Sequence, residues 1–506
     1  MSRVGPRGLL AAFLLIVTGL RLAYVAAGPL DLAPDEAHYW EWSRRLDLSY
    51  YSKGPMVAYL IHLLTWAFGT SELSIRLGAI LIGLAGALCL YAFARECLGD
   101  ERVALAAVVA LQLTPLFAAG GILMTIDPPF FLFWLLAMIL LGRALRGAAW
   151  AWPLAGIAFG LGLLAKYTML FLLPSLALYW LLAPEHRPWL RRPGPYVALG
   201  IGLGLFAQVL VWNARYGWVS ARHVAGQGEG SGLTLVYLGE FVGGQLGVLS
   251  PLIGLALAWG VFFGWREGLL RRREPYRFLM AFALPLLGFY LLLALRTKVQ
   301  ANWPAAAYLP LALITAGGIR EVLPRLGAGR RRGLVAYLVV AAVLALALTG
   351  IAHQTEALAV LGLALPPDLD PTARLKGWEE LGRAVTGLRG AMPAPERVFL
   401  FSNRYQIASE LAFYVAGRPG TYNVNLGRRL NQYDLWGGWD RLVGWDAIYV
   451  REGAREVDPE IARAFERVDP PVLLEIRRGE RVVRTFSIFR CFGFLGMEPP
   501  KTGLSY

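Results

Sequence analysis

The chain is poor in cysteine. Its three cysteines, Cys89, Cys97 and Cys491, form no CxxC pair and no metal-ligand spacing, so neither a disulfide framework nor a zinc module is expected. Charge is also scarce: 17% of the 506 residues are Asp, Glu, Lys or Arg, against about 25% in soluble domains. That shortage excludes an ordinary soluble enzyme and points to a membrane protein. No GxxxxGK[ST], no GxGxxG after a strand and no GxSxG occurs, which removes the commonest nucleotide-binding and serine-hydrolase readings. No internal repeat or low-complexity tract is present. The net charge of +14 invites nucleic acid, but its distribution does not fit. After residue 351 there are 20 Lys+Arg and 19 Asp+Glu, so the positive excess lies almost wholly in short arginine clusters between apolar runs. This is the positive-inside pattern, with no nucleic-acid partner implied.

What the chain has instead is long apolar runs. Eleven are expected to span a bilayer, at roughly 8–28, 73–94, 102–119, 128–146, 150–165, 167–183, 195–213, 241–263, 278–295, 303–319 and 333–351. The fifth and sixth are short enough to be one broken hairpin. The first run ends in Val25-Ala26-Ala27, which resembles a processing site, but many spans behind it favour a retained anchor. Residues 55–68 are too short to cross and read as an interfacial or re-entrant helix, with Tyr59 and Trp66 as headgroup anchors. With the N-terminus inside, the inner segments hold 19 basic residues, from Arg3 and Arg7 to Arg332, and the outer loops 8. This topology puts residues 29–54 and everything after 351 on one outer face.

From 352 the composition changes. Pro366-Pro367-Asp368 and Asp370-Pro371 mark a linker. Helices are expected at Leu375–Leu388, Tyr405–Val415 and Pro459–Phe465. Strands are expected at Arg397–Phe401, near Tyr422, and at Ala447–Val450, Val472–Ile476 and Arg481–Phe489. The fold class is thus an α-helical polytopic membrane domain (1–351) followed by an extracytoplasmic α/β domain (352–506).

Polar residues at the outer ends of spans are functional candidates, because burying them in lipid is costly. The stretch Asp31 to Pro55 carries Asp35-Glu36, His38, Lys53 and the aromatics Tyr39, Trp40, Trp42, Tyr50 and Tyr51. Pro34-Asp35-Glu36 reads as a helix start, with Asp35, His38 or Tyr39, and Trp42 on one face. Other outer segments supply Asp127 in ILMTIDPPF, Lys166 in AKYT, Arg222 and His223 in WVSARHV, and Lys298, Asn302 and Trp303 in TKVQANWP. Each has a plainer reading. Asp35-Glu36 can be a solvated helix start, Asp127 a helix cap, the lysines snorkelling cations, and the histidines ordinary hydrogen-bonding side chains. Together they offer acids for proton transfer and bases for an anion, which suits a reaction on a lipid-linked phosphate.

In APDEAHYWEWSRRLDLSYYSKGPMVAYLI, ILMTIDPPFFLFW, LLAKYTMLFLLPS, WNARYGWVSARHVAGQG, TKVQANWPAAAYLP and, in the tail, SELAFYVAGRPGTYN and NQYDLW, the chain resembles bacterial GT-C glycosyltransferases of family 39. That branch includes the protein O-mannosyltransferases and the lipid A aminoarabinose transferases. The resemblance implies about 11 transmembrane helices and an inverting transferase that uses a polyprenyl-phosphate sugar at the outer face of the bacterial inner membrane. Asp35 matches the first-loop aspartate of that family proposed as catalytic base, Asp127 the second-loop acid near the site, and Lys53 a phosphate-contacting lysine. The chain departs from the aminoarabinose transferases in a shorter Asp35–Lys53 spacing, in Gly54 replacing a proline, and in Ser52 standing where they carry a metal-binding glutamate.

The expected catalytic residues are therefore Asp35, with Glu36 and Asp127 assisting. The expected substrate-binding residues are Lys53, Tyr50, Tyr51, Lys166, Arg222, His223, Lys298, Asn302 and Trp303. A divalent metal is left open, since carboxylates and imidazoles share a face but no spacing specifies a site. Expected partners are the polyprenyl-phosphate sugar donor, membrane lipids, and a glycan, lipid or protein acceptor. Two other classes compete: a transporter or flippase for a lipid-linked or anionic substrate, and a structural subunit whose tail binds glycan.

Overall fold

The computed structural model describes residues 5–226, 232–356, 358, 366, 370–479 and 481–497. Arg3, Gln227 and Gly228 of the ARHVAGQG motif, and Pro367 and Asp368 of the expected linker lie outside these.

Among the described residues, eight helical segments are long and apolar enough to cross a membrane: Pro6–Ala27, Glu72–Leu98, Asp127–Leu145, Pro193–Arg215, Pro251–Leu270, Tyr276–Leu293, Ala305–Arg325 and Ala328–His353. Their place in the bundle follows their apolarity. Ala328–His353 has a mean hydropathy of 2.6 and is 11% buried, whereas Asp127–Leu145, at 1.8, is 67% buried. The most apolar segment faces outward, as lipid allows. Close packing uses small residues. A Cβ on Gly156 would lie 2.4 Å from the Ala198 carbonyl oxygen, so α8 (Ala151–Ala165) and α10 (Pro193–Arg215) meet backbone to backbone.

Most expected spans appear as helices; 150–165 and 167–183 are the short helices Ala151–Ala165 and Tyr167–Leu182, and two others are broken. Residues 102–119 break before Pro115, where Thr114 accepts a bond from the Phe117 amide and starts a new turn. Residues 241–263 break at Ser250 (φ 68°) before Pro251, giving Leu235–Leu249 and Pro251–Gly264. The expected interfacial segment is a helix, α3 (Met56–Phe68), with Trp66 78% exposed. Tyr59 is not an anchor beside it. Its hydroxyl donates to the Asp47 carbonyl (2.8 Å) and to Gln208 (3.2 Å), tying α3 to the first loop and α10.

The tail forms a six-stranded sheet in the order β2-β1-β3-β6-β4, with β5 also paired to β6. β1 (Val398–Ser402) runs parallel to β2 (Thr421–Asn423) and β3 (Asp446–Glu452). β6 (Arg481–Phe494) is antiparallel to β3, β4 (Phe465–Val468) and β5 (Val472–Arg478). β1 is buried on both faces, as a central parallel strand requires. The helix expected at Pro459–Phe465 stops at Arg463, because Phe465 opens β4 and enters an aromatic layer with Phe399, Phe401 and Phe494. The helix Trp378–Gly390 and α18 (Tyr405–Tyr414) cover the other face.

This sheet domain sits on the first loop. α18 packs across α2 (Pro34–Ser43). The Asp31 amide donates to the Leu375 carbonyl (2.9 Å), and the Asp31 carboxylate accepts from the Trp378 amide (2.7 Å). The loop expected to carry the chemistry is thus clamped between membrane bundle and tail.

Candidate active site

Pro34 at the first position of α2, with Asp35 and Glu36 in the first turn, gives the helix start its sequence implies. The two adjacent carboxylates then diverge. Glu36 is 0% exposed and accepts from the Arg76 guanidinium (3.0 Å), the Ala33 amide (2.9 Å) and the Met124 amide (2.8 Å). Its oxygens are fully engaged in fixing the start of α2 against the membrane helix Glu72–Leu98 and the loop before Asp127. An acid so occupied is suited to positioning α2.

Asp35 is half-buried, and its Oδ1 accepts from the Tyr405 hydroxyl (3.3 Å) at the start of α18. Burial and the Asp35 charge hold the Tyr405 phenol protonated by raising its pKa. The expected face of α2 is real. His38 lies one turn on, its Nε2 accepting from the Trp42 indole (3.1 Å), so its Nδ1 carries the proton and donates to Ser409 (3.0 Å). Burial lowers the His38 pKa to about 3. His38 is a neutral strut.

Lys53 reaches the same place from the other end of the loop. The Tyr50 amide donates to the Lys53 carbonyl (3.2 Å), closing a turn. Gly54 then passes so near the end of α8 that a Cβ there would sit 2.1 Å from the Leu164 oxygen. Only glycine fits, and that close approach sets Lys53 beside Lys166, where α8 ends in extended backbone (φ −151°, ψ 129°). Lys53 is strongly desolvated. Burial and the Lys166 charge lower its pKa, while Asp35 and Asp127 oppose the shift. Among the described residues no carboxylate lies within ion-pairing distance of its amine.

Asp127, the first residue of the helix Asp127–Leu145, completes the group. Lys166 Nζ donates to its Oδ1 (2.8 Å) and Asn302 Nδ2 to its Oδ2 (2.6 Å). Trp303 packs near Tyr290 (ring centroids 5.8 Å), whose hydroxyl meets Thr168 (3.3 Å), so TKVQANWP and AKYT meet here.

The remaining candidates divide. Tyr51 lies edge-on to His223 (5.1 Å), and burial together with the charges of Arg429 and Lys53 lowers the His223 pKa to about 3. Arg222 is exposed on the short helix Val219–Gly226. Two candidates are engaged elsewhere. Tyr50 is wholly buried, stacked on Trp42, and its hydroxyl donates to the Trp42 (3.0 Å) and Arg45 (3.1 Å) carbonyls, so it braces the loop. Lys298 is 67% exposed and pairs with Glu240 (3.3 Å), outside the group around Asp127. Sequence reading missed Tyr405 and Arg429, both from the tail. Among the described residues no three His, Cys, Asp or Glu side chains gather as a metal site, and Ser52 offers no carboxylate. The residues present do not fit a bound metal, and no step is drawn through one.

The fold is that of a multi-pass helical membrane protein with an appended α/β domain. Residues 52–212 match the family described as Dolichyl-phosphate-mannose-protein mannosyltransferase. The chain is 31% identical over 302 residues to the Lipid A galacturonosyltransferase RgtD of Rhizobium johnstonii, covering 58% of this chain and 63% of that one. It is 27% identical over 392 residues to the undecaprenyl phosphate-alpha-4-amino-4-deoxy-L-arabinose arabinosyl transferase of Edwardsiella ictaluri, covering 71% and 66%. The match thus spans a little under two thirds of each relative's length. The fold matches the crystal structure of ArnT from Cupriavidus metallidurans in the apo state, with a TM-score of 0.62 at 18% identity, covering 95% of this chain and 97% of that one. A second ArnT structure, bound to undecaprenyl phosphate, matches with a TM-score of 0.60 at 18% identity, covering 97% and 98%. The resemblance read from the motifs is borne out.

Proposed function

We propose that this protein is an inverting glycosyltransferase that moves a sugar from a polyprenyl phosphate to an acceptor at the outer face of the bacterial inner membrane. The observation that carries this is the convergence of Asp35, Lys53 and the Lys166–Asp127–Asn302 chain at one end of an apolar bundle. The acceptor hydroxyl attacks the anomeric carbon, Asp35 takes its proton, and the bond from that carbon to the phosphate oxygen breaks. The lipid phosphate leaves with its bonding electrons. A positioned carboxylate supplies roughly 10²–10⁴ in rate. Lys53, poor in water and without a carboxylate partner, favours the departing phosphate. Asp127, held at both oxygens, orients Lys166 and the sugar side of the site. His223, Tyr51 and Trp303 line the approach, and Arg222 stands at its rim.

The names of the relatives support undecaprenyl phosphate as the lipid and lipid A as the acceptor. The proposed division is a catalytic membrane domain to residue 351 and an extracytoplasmic domain from 352. The test is transfer from a labelled undecaprenyl-phosphate sugar to lipid A in reconstituted vesicles. Asp35→Asn is expected to lose activity at least a hundredfold. Activity within a few-fold of the unaltered protein would sink the assignment.

A further inference from the structure

Two neighbouring arginines in the tail differ in a way the fold does not require. Arg428 is used internally: its guanidinium pairs with Asp434 (2.8 Å) and donates to the Asn423 and Arg429 carbonyls (3.2 and 2.8 Å). Arg429, whose backbone those bonds fix, is exposed and has no ion pair among the described residues. The segment that follows it is fastened to the first loop at two points. Leu430 packs with Tyr51, Trp212 and Val219, and Gln432 Oε1 accepts from the Tyr51 amide (2.7 Å). Tyr51 is two residues from Lys53, so a rigid connection places Arg429 over the phosphate end of the site. Its charge acts on Lys53, His223 and Tyr405, three groups from three separate segments, which puts it where those segments meet.

We infer that Arg429 is a substrate-binding residue supplied by the C-terminal domain, completing with Lys53 a two-cation seat for the lipid-linked phosphate. Charge balance supports this. Asp35 and Asp127 bring two negative charges, and Lys53, Lys166 and Arg429 three positive ones. The excess of one matches a sugar phosphodiester. When the sugar leaves, the polyprenyl phosphate becomes a monoester whose second ionisation falls near pH 6, so the seat gains a further negative charge to hold. A guanidinium fork can meet two phosphate oxygens at once, which an ammonium cannot. The tail is then part of the active site rather than an appendage, and releasing it from the first loop removes one of the two cations.

This rests on the glycosyltransferase reading for its meaning but not for its measurement. Undecaprenyl phosphate is titrated into the full-length protein in detergent, with tryptophan fluorescence as readout and melting temperature as the fold control. Arg429→Ala is expected to weaken binding about tenfold or more, with an unchanged melting temperature. Arg429→Lys should fall between it and the unaltered protein, because charge is kept and the fork lost. Binding by Arg429→Ala within twofold of the unaltered protein overturns the inference, as does an unaltered protein that does not bind undecaprenyl phosphate at all. If binding depends on Arg429 but the unaltered protein transfers no sugar in vesicles, the phosphate seat stands and the transferase reading fails.

Discussion

The two ends of the helix bundle treat their carboxylates in opposite ways. At the arginine-rich end, carboxylates are saturated. Glu96 takes Arg143 (2.8 Å) and Arg146, Glu267 takes Arg273 (2.7 Å) and Arg271 (2.9 Å), and Asp100 takes Arg320 (2.9 Å). Each of these carboxylates has its counterion, and the arginines left over there, such as Arg330, Arg331 and Arg332, are exposed. At the end where the first loop and the tail meet, saturation is selective. Glu36 and Asp127 are fully bonded, while Asp35 has one weak tyrosine bond and Lys53 no counterion. A desolvated cation without a counterion costs free energy, which a bound anion returns. Polarity at a membrane surface therefore does not mark a site; a desolvated charge left unpaired does.

If this contrast is real, saturated groups should govern stability and unsaturated ones activity. The largest effects test it within one dipeptide. Asp35→Asn should keep the melting temperature and lose at least a hundredfold in transfer rate. Glu36→Ala leaves Arg76 buried without its partner, at a cost of about 3–5 kcal/mol, read by thermal unfolding in detergent. If Glu36→Ala kept full stability and lost only rate, the division would fail. Lys53 comes next. Its lowered pKa means that it loses its charge at a lower pH than an ordinary lysine near 10.5. Donor affinity should fall as pH rises through that lowered value. Lys53→Arg, always charged, should flatten that alkaline limb. A limb unchanged by Lys53→Arg would assign the titration to another group.

How far the sequence reveals this contrast depends on where the partners lie. Asp35, Lys53, Asp127, Lys166 and Asn302 are legible because a polar residue at the end of an apolar run stands out. Their mutual pairing is not legible, since it depends on Gly54 sliding under α8. Glu36 looks equivalent to Asp35 until Arg76, forty residues on, is seen to fill its shell. The partners of Tyr50 and Lys298 are hidden for the same reason: the carbonyls that occupy one and the Glu240 that holds the other are set by tertiary packing. Arg429 and Tyr405 carry no signal, because arginine and tyrosine are common in a tail with its own core. The bundle and the order of the tail elements were readable from apolar runs and alternation. The break at Ser250 and the strand at Phe465 were not, being local decisions made by a positive φ and by an aromatic layer.

Smaller effects sharpen the comparison from its exceptions. Glu410 on α18 is buried with neither oxygen hydrogen-bonded, near Asp31 and Glu36, and burial followed by those charges raises its pKa well above 4.5. It is the fold's unsaturated acid away from substrate, so it should cost stability rather than supply activity. A raised folded pKa means that its contribution is intact below the unfolded value, near 4.5, and is lost as pH rises through the folded one. Glu410→Gln should therefore raise the melting temperature at pH 8 more than at pH 4.5, with transfer rate unchanged. Equal shifts at both values would show that packing, not ionisation, sets the penalty. The smallest effect belongs to Lys298. An exposed pair such as Lys298–Glu240 contributes about 0–1 kcal/mol, and it lies outside the group around Asp127. Lys298→Ala should shift donor affinity less than twofold, and equally in low and high salt. A tenfold loss at low salt, fading as salt screens the charge, would instead bring the loop that carries Lys298 inward over the donor and make the unsaturated end larger than its present geometry.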